Sequence, residues 1–275
     1  MTIELLTQKA IELLKSLIET PSFSSEEEQT AALIEAWFIE FDIPFQRTKN
    51  NVWATNKHFT EGKPTLLLNS HHDTVKPNSA YTNDPFKAIV KDGKLYGLGS
   101  NDAGGCLVSL LATFTHFYAQ ENLKYNLVIV ASAEEESSGP NGLNSMLPII
   151  PPINVAIVGE PNLVIDVRVN DAYSNQEIAD ILLEQSPCTK ITPRSLRLNS
   201  SSINTNHDLV KAGIAMGRET YGSPTLSDQA CLSCQSLKLG PGDSTRSHSA
   251  NEFIYLAEIE EGIKIYVKLL NRVIV

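Results

Sequence analysis

Four short apolar runs constrain the fold of this chain more than any other feature of its sequence. They span residues 65–69, 126–131, 154–158 and 236–239. Unbroken runs of this length are typical of strands that are buried on both faces, as in a parallel sheet covered by helices. Helical patterns that could cover such a sheet lie at 105–119, 207–221 and 252–270. The sequence therefore predicts an α/β fold in which a mainly parallel sheet is sandwiched by helices.

The amino-terminal segment predicts two helices ahead of the sheet. Leucine and isoleucine recur at helical spacing from Leu6 to Ile18, and the pattern ends at Thr20 and the proline after it. Ser25, with Glu28 three residues later, predicts a capping box at the start of the second helix. The acidic run at 26–28 is interpreted as a solvated helix start.

Charge and hydropathy restrict the partners of the chain. It has 22 Lys and Arg residues against 32 Asp and Glu residues, a formal net charge of −10 and a pI near 5.1. Nucleic acids and anionic membranes both require a basic face, so neither is expected as a partner. No apolar run approaches the ~20 residues of a membrane span, and the amino terminus does not resemble a secretory signal. We therefore expect a cytoplasmic protein that acts on a small molecule.

The four cysteines give only a weak signal. In a reducing compartment Cys106, Cys188, Cys231 and Cys234 are expected to remain thiols. The last two have the spacing of a zinc or redox pair, but no second such pair completes a site of four thiolates. We therefore do not favour a thiolate metal site.

Residues that can bind metal ions follow the ends of the four apolar runs. His71 and Asp73 come directly after the first run, and three glutamates at 134–136 come after the second. Glu160 follows the third run, and the fourth leads through a glycine-containing loop to His248. The carboxyl ends of parallel strands lie at one edge of a sheet, which is where ligands bind. We therefore expect these side chains to converge.

A glycine-punctuated loop at 97–105 carries a further carboxylate, Asp102. Glycines let the backbone approach a site closely. The loop itself supports two interpretations equally, since Asp102 could cap the following helix or bind a metal ion. A phosphate-binding loop is the weaker interpretation, because neither GxGxxG after a strand nor GxxxxGK[ST] occurs.

Together these blocks resemble the ordered signature of the M20 metallopeptidase and aminoacylase family. The blocks are HHDTV at 71–75, GLGSND at 97–102, EEE at 134–136, GEP at 159–161 and the late His248. The resemblance covers nearly the whole chain apart from its middle, and it implies the α/β fold of zinc exopeptidases. Within the family, residues 69–77 and 239–248 are most similar to the acetylornithine deacetylase branch, including its N-acetylcitrulline variants.

The resemblance implies a site for two zinc ions, with cobalt or manganese as substitutes. His71, Asp102 and Glu160 would bind one ion. Asp102, Glu136 and His248 would bind the other, so that Asp102 bridges the pair. Imidazole and carboxylate ligands suit Zn²⁺, and three protein ligands per ion leave a position open. Two ions ~3.5–4 Å apart can polarise an amide carbonyl, as in aminopeptidases.

The same resemblance assigns roles around the ions. Glu135 would be the general base, which takes a proton from the attacking water and delivers it to the leaving amine. Asp73 would support catalysis by fixing the orientation of the His71 ring. His72 would be a structural neighbour.

Two further residues keep alternative interpretations. Arg246, two residues before a predicted ligand, is a candidate for binding a substrate carboxylate. A structural salt bridge is its alternative role. Asp228 lies in a polar loop that resembles a family segment near the site, and it either supports the site or takes no part in it.

The predicted function is that of a zinc-dependent amidohydrolase. It would remove the acyl group, an acetyl group in the leading hypothesis, from an N-acyl-amino acid such as N-acetylornithine or N-acetylcitrulline. A dipeptidase or carboxypeptidase of the same family is one alternative. A metal-binding scaffold with little activity is another. Family members are homodimers, and the shortened middle of this chain leaves its own oligomeric state open.

The middle of the chain departs from the family pattern. Family members are longer, because a lid or dimerisation domain interrupts the catalytic domain after the Glu-Pro block. Residues 163–199 resemble only the later part of this lid, so we predict catalytic parts at 1–162 and 200–275 around a truncated α+β lid remnant. Natural loss, engineering or a missing stretch would each explain the difference. Loss of an oxyanion donor from the lid would cost ~2.7–4 kcal/mol, whereas all predicted metal ligands remain.

Overall fold

The computed structural model describes residues 1–160, 200–222 and 227–275. In these ranges the strands are β1 (Gln46–Thr48), β2 (Asn51–Thr55), β3 (Thr65–His71), β4 (Ile89–Lys91), β5 (Lys94–Tyr96), β6 (Asn126–Ser132), β7 (Val155–Val158), β8 (Gln235–Lys238) and β9 (Phe253–Tyr255). The helices are α1 (Ile3–Ile18), α2 (Glu28–Glu40), α3 (Gly105–Phe117), α4 (Leu143–Met146), α5 (Asp208–Ala215) and α6 (Leu256–Val273). Short turns lie at Ser100–Gly104, Asp228–Cys231 and Ser244–Arg246.

A six-stranded sheet in the order β1-β2-β6-β3-β7-β8 forms the centre of the fold. Strands β6, β3, β7 and β8 are parallel to their neighbours in this series, whereas β1 and β2 extend the sheet antiparallel beyond β6. The chain leaves β3 for β6 on one side and later returns to β7 on the other. Such a reversal creates a crevice at the carboxyl ends of the strands. The predicted α/β fold with a mainly parallel sheet is confirmed.

The central strands are buried on both faces, as their apolar composition predicts. Along β3, Leu66 and Leu68 pack into the larger apolar core with α1, α2, α3 and α6. Leu67 faces a smaller core that includes α4. All three leucines are fully buried, and burying each of them contributes ~1.5–3 kcal/mol. This packing gives the carboxyl ends of the strands a rigid support.

The predicted strands match β3, β6, β7 and β8, but two predicted helices differ at their ends. Helix α5 ends at Ala215 rather than at 221, because Gly217 adopts a left-handed conformation with φ of 77° that terminates helices. The helix predicted from 252 was wrong at its start. Residues Phe253–Tyr255 pair with β5 as strand β9, and α6 begins only at Leu256.

The predicted capping box of the second helix is also wrong. Helix α2 begins at Glu28, and the residue before it makes no side-chain capping bond. Ser25 instead adopts a left-handed conformation with φ of 75°, and its backbone N–H donates to Glu27 Oε1 at 2.7 Å. Glu27 is fully buried, so only its two acidic neighbours match the predicted solvated run.

The predicted lid remnant at 163–199 lies outside the described residues, so the domain boundaries stay predictions. Strand β8 comes from the second predicted catalytic part and pairs with β7 of the first. In the ranges that the structure describes, no helix is both long and apolar enough to cross a membrane.

Candidate metal centre

The side chains predicted to bind metal ions meet at the carboxyl edge of the six-stranded sheet. His71 ends β3, and its Nε2 lies 3.3 Å from Asp102 Oδ1 and 3.3 Å from Glu160 Oε1. On the far side of Asp102, Oδ2 lies 3.4 Å from His248 Nε2. That nitrogen is also 3.1 Å from Glu136 Oε2. Asp102 therefore presents one oxygen to each histidine.

Two sets of three donor groups are close enough to share a cation. Donor atoms of His71, Asp102 and Glu136 lie within 4.8 Å of one another, and so do donor atoms of His71, Glu135 and Glu160. These sets differ from the predicted division because His71 belongs to both and Glu135 joins the second. The division of ligands between two ions therefore stays a prediction.

Asp73 connects the segments that carry these groups. Its Oδ1 and Oδ2 accept the backbone N–H groups of Glu135 and Glu136, each at 3.0 Å. Ser24 Oγ also donates to Oδ2, at 2.7 Å. His71 Nδ1 lies 3.3 Å from Asp73 Oδ1 and 3.0 Å from the Asp73 carbonyl oxygen. This geometry fixes the His71 ring with Nε2 directed at the cluster, as an orienting partner would.

Burial and crowding of carboxylates dominate the electrostatics of the cluster. Burial raises the pKa of Glu160 to about 8, and the negative charge of Asp102 adds to the effect. Burial also raises the pKa of Glu135 well above its usual range, with Glu160 contributing. The hydrogen bond with Glu136 raises the pKa of His248 to about 9. A divalent cation among these groups would offset their mutual repulsion.

The donor set fits a divalent transition metal. Two imidazoles with several carboxylates are the ligands that suit Zn²⁺ and related ions. Glu160 Oε1 is buried and, although His71 Nε2 lies 3.3 Å from it, accepts no hydrogen bond in the part of the chain that the structure describes. A buried carboxylate oxygen without a donor is costly unless a cation binds it. The residues present therefore meet the requirements of a metal site.

Two residues that adjoin the predicted site residues in sequence, His72 and Glu134, make contacts outside the cluster. His72 Nδ1 lies 2.9 Å from Thr30 Oγ1, and its Nε2 lies 2.9 Å from the Asn50 carbonyl oxygen. Burial lowers the pKa of His72 to about 4, so its ring is neutral at neutral pH. Glu134 accepts hydrogen bonds from the backbone N–H and side-chain amide of Asn141, at 3.0 and 2.7 Å. These contacts give His72 and Glu134 structural roles.

Arg246 takes part in a salt bridge. Its guanidinium donates to both carboxylate oxygens of Glu258, at 2.7 and 2.6 Å. It also lies over the rings of Phe253 and Tyr255, 5.0 and 5.3 Å from their centroids. This geometry favours the structural salt bridge over the predicted contact with a substrate carboxylate.

Asp228 lies beside the cluster. It is buried, accepts a hydrogen bond from Ser132 Oγ at the end of β6, and lines a small cavity together with Glu135 and Leu143. Burial raises its pKa to about 6. This position favours the interpretation that Asp228 supports the site.

Three buried residues at the site were not identified from the sequence: Glu252, Asn101 and Glu27. Glu252 Oε1 accepts the backbone N–H groups of Asn101 and Asp102, at 2.9 and 2.8 Å. Glu27 Oε1 accepts the backbone N–H of Glu134 at 3.1 Å. The one available signal was the place of Glu252 just after the last predicted ligand. The other two residues gave none, because Asn in a glycine-containing loop and Glu in an acidic run are common on surfaces.

Sequence comparison supports these observations. Residues 67–272 match peptidase family M20/M25/M40. An acetylornithine deacetylase of Salmonella paratyphi B is 32% identical over 180 residues, which cover 59% of this chain and 45% of that protein. The match thus spans less than half the length of this curated relative.

Comparison with solved structures finds the fold of this chain in two proteins of family M20. An M20 family metallo-carboxypeptidase from Sulfolobus solfataricus, Sso-CP2, superposes with a TM-score of 0.70 at 14% identity, covering 96% of this chain and 99% of that one. The Bacillus subtilis YxeP protein, a dinuclear metal-binding peptidase of family M20, superposes with a TM-score of 0.67 at 14% identity, covering 97% and 98%. At such identities the likeness concerns the fold alone.

Proposed function

Because this chain belongs to peptidase family M20/M25/M40, we propose that it is a metal-dependent hydrolase of amide bonds in small molecules. The observation that carries the proposal is the convergence of His71, Asp102, Glu136, Glu160 and His248 at one edge of the sheet. Segments that are distant in the sequence supply these groups, and the bridging position of Asp102 between two histidines is what a pair of ions requires.

The proposed ligand sets each contain one histidine. His71, Asp102 and Glu160 would hold one zinc ion, and Asp102, Glu136 and His248 would hold the other. Bound there, the ions would polarise the acyl carbonyl and lower the pKa of a water molecule towards neutrality. Asp73 keeps the His71 ring in place through its contacts with Nδ1.

Glu135 is the proposed general base. Its Oε2 lies 4.0 Å from His71 Nε2, and Asp73 holds its backbone N–H. Glu135 also lines the cavity that Asp228 borders. From this position Glu135 removes a proton from the attacking water and delivers it to the leaving nitrogen.

An N-acyl-amino acid is the proposed substrate, with N-acetylornithine and N-acetylcitrulline as the leading candidates. The identity of 32% with an acetylornithine deacetylase supports this choice. The same match covers 45% of that relative, so its remaining regions have no matched counterpart here. Selectivity among acyl-amino acids is therefore the property to test.

We expect the Zn²⁺-loaded protein to hydrolyse N-acetylornithine or N-acetylcitrulline faster than any member of a small dipeptide panel. The release of free amino groups would be measured, with an identically purified Glu135→Gln variant as the control for contaminating hydrolases. Faster cleavage of a dipeptide would identify a dipeptidase or carboxypeptidase instead. Two bound ions without turnover of any of these compounds would identify a metal-binding scaffold.

Metal binding is expected to stabilise the folded chain. An ion that binds only the folded state adds ~2.7 kcal/mol at a free concentration of 100 times its Kd, and each kcal/mol raises the Tm of a protein of this size by roughly 2–4 °C. Calorimetry should therefore show a rise of about 5–10 °C per ion with Zn²⁺, reversed by EDTA. Ca²⁺ prefers sites made of oxygen ligands alone and should raise the Tm less. An unchanged Tm with Zn²⁺ would contradict a site formed by the fold.

A further inference from the structure

Asn101 joins two segments that carry proposed metal ligands. Its side-chain amide donates to the Asp243 carbonyl oxygen at 3.0 Å and to Ser247 Oγ at 3.2 Å. Its Oδ1 accepts the backbone N–H of Asp243 at 3.1 Å. Asn101 directly precedes Asp102, and Ser247 directly precedes His248. One buried side chain thus connects the segment that carries Asp102 with the segment that leads to His248.

The contact surface of Asn101 is closely fitted. Gly242 lies against it with φ of 97°, and a Cβ atom at that position would stand 2.4 Å from Asn101 Oδ1. Glycine is therefore required there by both its conformation and the space available. The close fit means that the 243–248 segment cannot move relative to Asn101 without breaking the hydrogen bonds.

Glu252 fixes the opposite side of the same loop. Its carboxylate accepts the backbone N–H groups of Asn101 and Asp102, and its carbonyl oxygen accepts the N–H of Gly97 at 3.1 Å. Glu252 therefore fixes the backbone of the 97–102 loop, and the Asn101 side chain connects this loop to the 243–248 segment. The Asn101 side chain makes three hydrogen bonds to the segment that leads to His248.

We propose that Asn101 is a positioning residue: it sets the spacing between Asp102 and His248, and thereby the affinity for the ion that these two residues share. This inference rests on the proposed two-metal function. The spacing between Asp102 and His71 does not depend on the Asn101 side chain, because Glu252 holds the backbone N–H of Asp102, His71 ends β3 and Asp73 orients its ring. Loss of the Asn101 side chain is therefore expected to lower the affinity for the ion that Asp102 and His248 share, and not the affinity for the other ion.

Asn126 offers a matched control for this proposal. It is 1% exposed, against 0% for Asn101. It also makes three side-chain hydrogen bonds, one from the Thr60 N–H and two to the carbonyl oxygens of Thr60 and Lys63. It begins β6, so it stands at the amino edge of the sheet, opposite the cluster. Replacing either asparagine by alanine removes equivalent bonds, but only one of the two residues borders the site.

The test is calorimetric titration of EDTA-stripped protein with Zn²⁺, which measures ion affinities without reference to turnover. We expect two binding events in the unmodified chain. Asn101→Ala should weaken one event roughly 10–100-fold, the loss typical of removing an outer hydrogen-bond partner from a metal site, and leave the other unchanged. Asn126→Ala should leave both events unchanged. Thermal unfolding of the metal-free proteins would show that both variants are folded.

A His248→Ala background identifies which ion is affected. That variant should retain one event, and adding Asn101→Ala should not weaken it further, because both changes act on the same ion. The positioning role would be overturned if Asn101→Ala lowered the affinity for both ions equally, or lowered neither affinity. If Asn101→Ala does not fold, Gly242→Ala perturbs the same contact from the other segment and should give the same selective loss. Fewer than two events in the unmodified chain would instead contradict the proposed two-metal site.

Discussion

Replacing Glu135 by glutamine is expected to lower kcat for amide hydrolysis by roughly 10²–10⁴-fold while the bound metal ions are retained. The amide has the size of the carboxylate but cannot take a proton from water. The anchor of this residue is its backbone N–H, which donates to Asp73 Oδ1 at 3.0 Å. The substitution does not alter that contact. The chemistry should therefore be lost while the geometry of the segment is kept.

The metal content of this variant decides whether Glu135 is a base or a ligand. Its carboxylate lies within 4.8 Å of donor atoms of His71 and Glu160, so ligation is a specific alternative. Elemental analysis of dialysed protein should find equal metal in Glu135→Gln and in the unmodified chain. Loss of an ion together with activity would make Glu135 a ligand. Full activity with full metal content would remove it from the mechanism.

Glu134→Gln is the matched control, because the same substitution falls one residue earlier. The Glu134 carboxylate accepts bonds from Asn141 and, at 3.2 Å, from Ser25 Oγ. In glutamine the side-chain NH₂ group would face one of these donors, so a hydrogen bond would be replaced by a contact between two donors. We expect a lower Tm and a much smaller change in kcat than in Glu135→Gln. An equal loss of kcat at an unchanged Tm would show that the Glu135 effect is not specific.

Replacing His71 by alanine is expected to abolish the binding of at least one ion, and hydrolysis with it. Its Nε2 is 3.3 Å from carboxylate oxygens of both Asp102 and Glu160, and the ring is fully buried. Removing it leaves the buried carboxylates of Asp73 and Glu160 without an imidazole partner, whereas Asp102 keeps its contact with His248. The loss of affinity should exceed the roughly 10–100-fold that follows from deleting an outer hydrogen-bond partner. Calorimetric titration with Zn²⁺ measures it.

A variant of the adjacent histidine, His72, serves as the control that distinguishes loss of a metal ligand from loss of stability. His72 is also buried, but its two ring nitrogens contact Thr30 and Asn50 rather than the cluster. His72→Ala should lower the free energy of unfolding by about 1–3 kcal/mol, because it leaves buried polar groups unsatisfied. Its metal content should stay the same. If His72→Ala lost metal as completely as His71→Ala, the assignment of His71 as the ligand of this pair would fail.

The proposed ligands could be predicted from sequence because their positions follow from strand patterns. His71, Glu136 and Glu160 stand at or just after strands whose unbroken apolar composition marks them as buried. Asp102 was ambiguous, since a helix cap and a ligand have the same local sequence. Its contacts with both histidines favour a place in the cluster, and its role as a metal ligand stays a prediction. The function of Arg246 could not be predicted, because an arginine near a ligand is equally compatible with the salt bridge to Glu258.

The sequence by itself determined that buried parallel strands would bring acidic residues and histidines to one edge, because burial and strand direction are encoded locally. Only the tertiary structure decided what holds that edge in register. Strand β9 forms in place of a helical turn because β5 is available to pair with it. Asn101 and Glu252 acquire their roles through contacts between segments 142 to 151 residues apart. No local pattern specifies such contacts, since the partner of a buried amide or carboxylate is chosen by packing.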